Sequence, residues 1–316
     1  MKKEEIRKYI AGESNIIGVP CGLWMHFPAS CAIGEASTMA HLEYYSKTNV
    51  SVMKLMNEHP MKFSIKIECA DDWGLLDVQS IDECVYDDFI SEIEEFRKRI
   101  GDDAFLIVTI HGVLVSACHA TDGMGHFPDL KNTVTKHLKE KPEVVMKGLE
   151  SIGAVIEGLC SRCFDAGADG VYYAALGGEE SRFTESMYRT FVSPIEKRIL
   201  ESCRKKGFVF LHVCKDNPRL SMFSDYPCDV VNWDEHRGSY SVEDGMKLFP
   251  GKVVLGGFDN KSGVLFNGSD DDVIRHIDDV FKRAGKGRIM IGADCTLPGD
   301  FSIERIRMIS DYCSNI

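Results

Sequence analysis

Nowhere does this chain of 316 residues hold the uninterrupted apolar run of roughly 20 residues that a membrane helix needs. Basic residues are in the minority, 37 Lys and Arg against 49 Asp and Glu, for a formal charge of −12. That balance argues against a nucleic-acid sleeve or an anionic-membrane binder, so neither nucleic acid nor membrane is expected as a partner. Internal repeats, low-complexity tracts and Pro/Gly/Ser linkers are missing as well, so one domain over residues 1–316 is expected. The opening stretch, residues 1–10, carries acids and no apolar core of signal-peptide length; a cytoplasmic protein is the expectation. Cysteine is not scarce, with 12 in the chain, but they lie too far apart for a disulfide-stapled scaffold. In a reducing compartment they are thiols, and metal binding, catalysis or plain packing are their uses.

What is present is a recurring unit, a short β-branched apolar run followed by an amphipathic helical stretch. Strands are expected at residues 17–25, 50–56, 104–111, 170–175, 208–214, 229–233, 252–257 and 288–292. Helical patterns occupy 37–47, 81–99, 142–166, 184–205, 241–249, 269–284 and 302–312. Ser269 followed by three aspartates, and Ser302 followed by Glu304, supply capping hydroxyls and acids for helix starts. Continuous apolar strands such as Phe208-Val-Phe-Leu suit a parallel sheet buried on both faces. Eight of them with helical crossovers predict an α/β fold of the (β/α)8 TIM-barrel type. A short N-terminal helix over residues 4–9 would cap its bottom.

Barrel chemistry belongs at the C-terminal ends of the strands. The polar residues expected there are His26, His111, Tyr173, His212 with Cys214, Asn232 with Asp234, Asp259, and Asp294 with Cys295. His26, Tyr173, Asn232 and Asp259 are candidates for holding substrate, and His111 and Asp234 for catalytic work. In His212-Val213-Cys214, alternate residues of a strand point to one side, so the imidazole and the thiol converge. Cys295 follows the last strand and faces the same mouth. One imidazole and two thiolates make a charge-balanced Zn²⁺ site with its fourth position free, the catalytic arrangement of this metal. The residues alone leave a second reading open, a hydrogen-bonded core histidine with two packed thiols.

Several stretches resemble the uroporphyrinogen decarboxylase superfamily, whose fold is a (β/α)8 barrel. They are Gly18-Val-Pro-Cys-Gly-Leu-Trp-Met-His-Phe-Pro, Ala166-Gly-Ala-Asp-Gly-Val-Tyr-Tyr, Phe191-Val-Ser-Pro, Leu255-Gly-Gly-Phe-Asp and Gly292-Ala-Asp-Cys-Thr-Leu-Pro. The spaced His212, Cys214 and Cys295 are similar to the zinc motif of its methylcobamide:coenzyme M methyltransferase branch. That resemblance implies zinc ligation by these three residues and methyl transfer between a methylcorrinoid and a small thiol, in one direction or the reverse. His111 and His26 would then orient the acceptor, and Asp234 or Glu235 would stand behind the metal or serve as its resting ligand. A salt bridge to His236 or Arg237 is the rival role for Asp234. The runner-up is a lyase of the decarboxylase type acting on a different substrate. Against uroporphyrinogen itself, the arginine pair of the decarboxylases is missing from Trp24-Met25-His26-Phe27-Pro28-Ala29-Ser30. Their late histidine is replaced by Ala293-Asp294-Cys295.

A corrinoid would have to arrive on a separate protein. Asp234-Glu-His236-Arg-Gly238 imitates the corrinoid-binding Asp-x-His-x-x-Gly, but its glycine comes one residue early. Two further stretches carry weaker signals. Cys160-Ser-Arg-Cys163 has redox-motif spacing but lies inside a helical pattern, where two packed thiols are expected. The glycine-bearing stretch from His119 to His126 is suited to act as a lid over the mouth.

Overall fold

The computed structural model describes residues 1–13, 18–122, 132–179, 181–215, 217–285 and 287–316. Eight parallel strands form the barrel wall: β1 (Cys21–Gly22), β2 (Val52–Leu55), β3 (Phe105–His111), β4 (Gly170–Ala175), β5 (Phe208–Val213), β6 (Val230–Trp233), β7 (Val253–Phe258) and β8 (Arg288–Ala293). Their hydrogen-bonded order runs β1, β8, β7, β6, β5, β4, β3, β2. The remaining seam is bridged by a side chain. The Cys21 N–H donates to Ser51 Oγ (2.7 Å), whose hydroxyl donates back to the Cys21 carbonyl (3.2 Å).

The TIM-barrel expectation therefore holds. Each expected strand is present, although β1 is only two residues long and the start of its expected range, residue 17, lies outside the described residues. The wall is wrapped by helices α1 (Lys3–Ala11), α2 (Gly34–Thr48), α3 (Asp87–Ile100), α4 (Val113–Thr121), α5 (Thr133–Glu140), α6 (Pro142–Asp165), α7 (Glu185–Phe191), α8 (Ser193–Arg204), α9 (Val242–Leu248), α10 (Val264–Asn267), α11 (Asp270–Ala284) and α12 (Ile303–Cys313). No described helix is long and apolar enough to cross a membrane. The serine caps are in place: Ser241, Ser269 and Ser302 accept from the N–H groups of Asp244, Asp272 and Arg305.

Three helical expectations need correction. The pattern at 184–205 is two helices, because Pro194 has no N–H to continue the α7 ladder and instead opens α8. The pattern at 81–99 starts late, since Ile81–Asp82 pairs with Lys62–Phe63 in a small antiparallel ribbon. The stretch after β3 is helix through Thr121, and residues 123–131, which include the second half of the anticipated lid, lie outside the described residues.

Helix α1 closes the N-terminal end of the barrel, as expected. Its Ile6 and Ile10 pack among the inward side chains Val52, Phe105, Tyr172, Phe210, Val253 and Met290. Beneath them Asp169, almost fully buried, takes ion pairs from Lys3 (3.0 Å), Arg7 (3.0 Å) and Arg97 (2.6 Å). With the bottom filled by apolar side chains, only the C-terminal mouth is left for chemistry.

Candidate metal centre at the barrel mouth

Inward-facing positions follow from strand parity. On β5, Phe208 and Phe210 pack in the barrel interior, so His212 and then Cys214 continue upward on the same side. Register pairs His212 with Asn232 on β6, which brings an amide beside the imidazole. His212 Nδ1 lies 2.6 Å from Asn232 Oδ1, which also accepts from the Tyr172 hydroxyl (2.7 Å). The amide's Nδ2 donates to the carbonyls of Leu255 (2.9 Å) and Ala293 (3.1 Å). An amide anchored that way presents oxygen to His212, so the proton sits on Nδ1 and the lone pair on Nε2. The Tyr172 ring stacks on the imidazole, with centroids 5.2 Å apart and planes at 21°.

Nε2 points to Cys295 Sγ, 3.6 Å away. The ligand atoms of His212, Cys214 and Cys295 all lie within 4.8 Å of one another. The fit to zinc is close: tetrahedral bonds of about 2.3 Å to sulfur and about 2.0 Å to nitrogen place those two atoms about 3.5 Å apart. Cys295 is held well below the usual thiol range, chiefly by the hydrogen bond from Cys214 and also by His212. Cys214 is pushed up by the same contact and by burial. A divalent cation here would hold both sulfurs as thiolates.

The structure sorts the other expected residues. His111 ends β3, its ring edge-on to His119 at 5.4 Å, and burial pushes its pKa down to about 4, leaving it neutral near pH 7. His26 is exposed on the loop after β1 and pairs with Glu58 (2.5 Å). Asn232 lies behind His212, bonded to its ring and to the barrel wall. Asp234 accepts the Arg237 N–H (2.8 Å) and pairs with its guanidinium (3.2 Å), which is the salt-bridge arrangement. Asp259 receives the other arm of Arg237 (2.8 Å) together with the Lys261 N–H and the Ser262 hydroxyl. Tyr173 is not brought to the mouth. It faces the helical layer, donating to Glu196 (3.1 Å) and accepting from the Val113 N–H (3.1 Å). Its neighbour Tyr172 is the inward residue.

Two groups were missed from sequence. Lys54 on β2 is only 3% exposed, and its Nζ lies 4.2 Å from the Tyr172 ring centroid and 4.5 Å from that of Trp24. Parity with the inward Val52 was the available signal. Glu58 carried none, being one acid in an irregular stretch. A second cluster, Glu235, His236 and Asp294, flanks the centre; Asp294 is fully buried and bonded to His236 Nδ1 (2.9 Å). Cys160 and Cys163 are buried within α6, in agreement with the packing expectation.

Comparison with known proteins places this barrel. The sequence pattern of the uroporphyrinogen decarboxylase family matches residues 65–316. No curated protein matches the chain. Among solved structures, a methyltransferase from Methanosarcina mazei superposes with a TM-score of 0.78 at 13% identity, covering 98% of this chain and 97% of that one. A vitamin-B12-independent methionine synthase from a Shewanella species, in complex with selenomethionine, gives 0.61 at 9% identity, covering 94% and 97%. At such identities the likeness is one of fold.

Proposed function

The chain belongs to the uroporphyrinogen decarboxylase family, and within it we propose a zinc-dependent methyltransferase that moves a methyl group between a corrinoid on a separate protein and a small thiol, in one direction or the reverse. The observation that carries this reading is the separation of 3.6 Å between His212 Nε2 and Cys295 Sγ, with Cys214 in the same cluster. Three ligands at an open barrel mouth leave one position for a fourth, which is the pattern of a catalytic and not a structural zinc. The full-length likeness to a methyltransferase fold supports it.

Zinc held by His212, Cys214 and Cys295 would supply a seat on which an acceptor thiol stays deprotonated at neutral pH. Transfer toward the thiol would form the carbon–sulfur bond as the cobalt–carbon bond broke, with the electron pair kept by the corrinoid, and transfer the other way would reverse these changes. The thiol proton leaves to solvent. Asn232 and Tyr172 fix the imidazole so that Nε2 alone faces the ligand. His111, neutral through burial, and the His26–Glu58 pair line the approach and orient the body of the acceptor. Asp234 acts through Arg237, tying the loop after β6 to Asp259 after β7.

The decarboxylase reading lacks its electrostatics. The loop after β1 presents His26 paired with Glu58 where the decarboxylases carry arginines, a poor seat for a polycarboxylate. Purified protein incubated with methylcobalamin and a panel of small thiols provides the test. Thioether formation that disappears in Cys295→Ala supports the assignment. Zinc-replete protein that alkylates no thiol, and demethylates no thioether onto cob(I)alamin, counts against it.

A further inference from the structure

A buried lysine is rare, because desolvation penalises its charge unless an acid pairs with it. Lys54 breaks that pattern. Among the described residues no carboxylate lies within ion-pair distance of it, Glu58 being taken by His26. Its ammonium instead rests against the faces of Tyr172 and Trp24. Tyr172 is the ring stacked on His212, so the cation and the metal centre share one aromatic wall.

The charge count at the mouth gives this cation a use. Zn²⁺ with Cys214 and Cys295 as thiolates and a neutral His212 sums to zero, and an acceptor thiolate in the fourth position makes the centre a monoanion. Resting on the zinc reading above, we propose that Lys54 is the counter-charge for that third thiolate: a positioning residue that makes the centre selective for anionic sulfur over neutral ligands. A unit charge on the far side of a single aromatic ring, at the effective dielectric of such sites, is worth a tenfold or larger preference. Burial pulls the Lys54 pKa down to about 7, while Cys295, Glu58 and Cys214 oppose that fall.

The test uses cobalt(II)-loaded protein, whose visible spectrum reports both the thiolate ligands and the occupant of the fourth position. Wild type, Lys54→Met and Lys54→Arg are titrated with ethanethiol and, separately, with imidazole. Lys54→Met is expected to load cobalt normally, to bind imidazole within about twofold of wild type, and to bind the thiol at least tenfold more weakly, with Lys54→Arg restoring most of the loss. Lys54→Gln is read in parallel in case the methionine variant does not fold. Equal thiol affinity with and without the lysine, in protein that loads cobalt normally, overturns the role of Lys54 alone. Wild-type protein that shows no thiolate-to-cobalt band overturns the metal reading and this inference together.

Discussion

His212 Nδ1 and Asn232 Oδ1 are 2.6 Å apart, across a register that pairs the two residues on neighbouring strands. This contact sets which ring nitrogen carries the proton and so aims the other one at Cys295. Asn232→Ala removes the acceptor and leaves His212 Nδ1–H and the Tyr172 hydroxyl without their shared partner. Zinc affinity is expected to fall about 10- to 100-fold, read by competition with a chromophoric chelator. Asn232→Asp keeps an acceptor for both but sets its second oxygen against the Leu255 and Ala293 carbonyls, so it should recover only part of the affinity.

The seam of the barrel makes a second case. Ser51 both accepts from and donates to the backbone of Cys21. Ser51→Ala leaves a buried N–H and C=O unpaired, at a cost of about 1–3 kcal/mol. Urea unfolding should show that loss, and hydrogen exchange at the Cys21 amide should accelerate ahead of the rest of the barrel.

Glu196 accepts from Tyr173 (3.1 Å), Tyr188 (2.7 Å) and Tyr226 (3.0 Å). Burial outweighs these bonds and lifts its pKa from 4.5 to about 7. The folded protein then holds a proton that the unfolded chain releases, so this group's contribution is whole below pH 4.5 and is lost as pH rises to about 7. The loss is on the order of 3 kcal/mol. Glu196→Gln should abolish that part of the pH dependence of the urea midpoint while the rest of the profile stays.

The wall of the barrel was readable because strands buried on both faces are near-continuous apolar runs, and Phe208–Val213 and Val253–Phe258 are largely of that kind. The candidate ligands were readable for a related reason: two-residue spacing along a strand direction keeps His212 and Cys214 on one side. Parity was harder to assign where two aromatics adjoin. Tyr172 and Tyr173 are equally plausible by type, and only the register with Phe210 and Leu211 puts the first inside and the second against α8. Lys54 was hidden by its short apolar strand, where a lysine resembles a break in the pattern. The helix at Val113–Thr121 carries little helical signature, since it opens on the β-branched Val113 and Val115. The link between Asn232 and His212 depends on strand register, which no local pattern carries.

The most direct measurement is the zinc content of purified wild type beside Cys214→Ala and Cys295→Ala, by elemental mass spectrometry after dialysis. About one zinc per chain in wild type, lost or sharply reduced in both variants that remain folded, is the expected result. Zinc retained at wild-type stoichiometry in both variants would contradict a centre built on His212, Cys214 and Cys295.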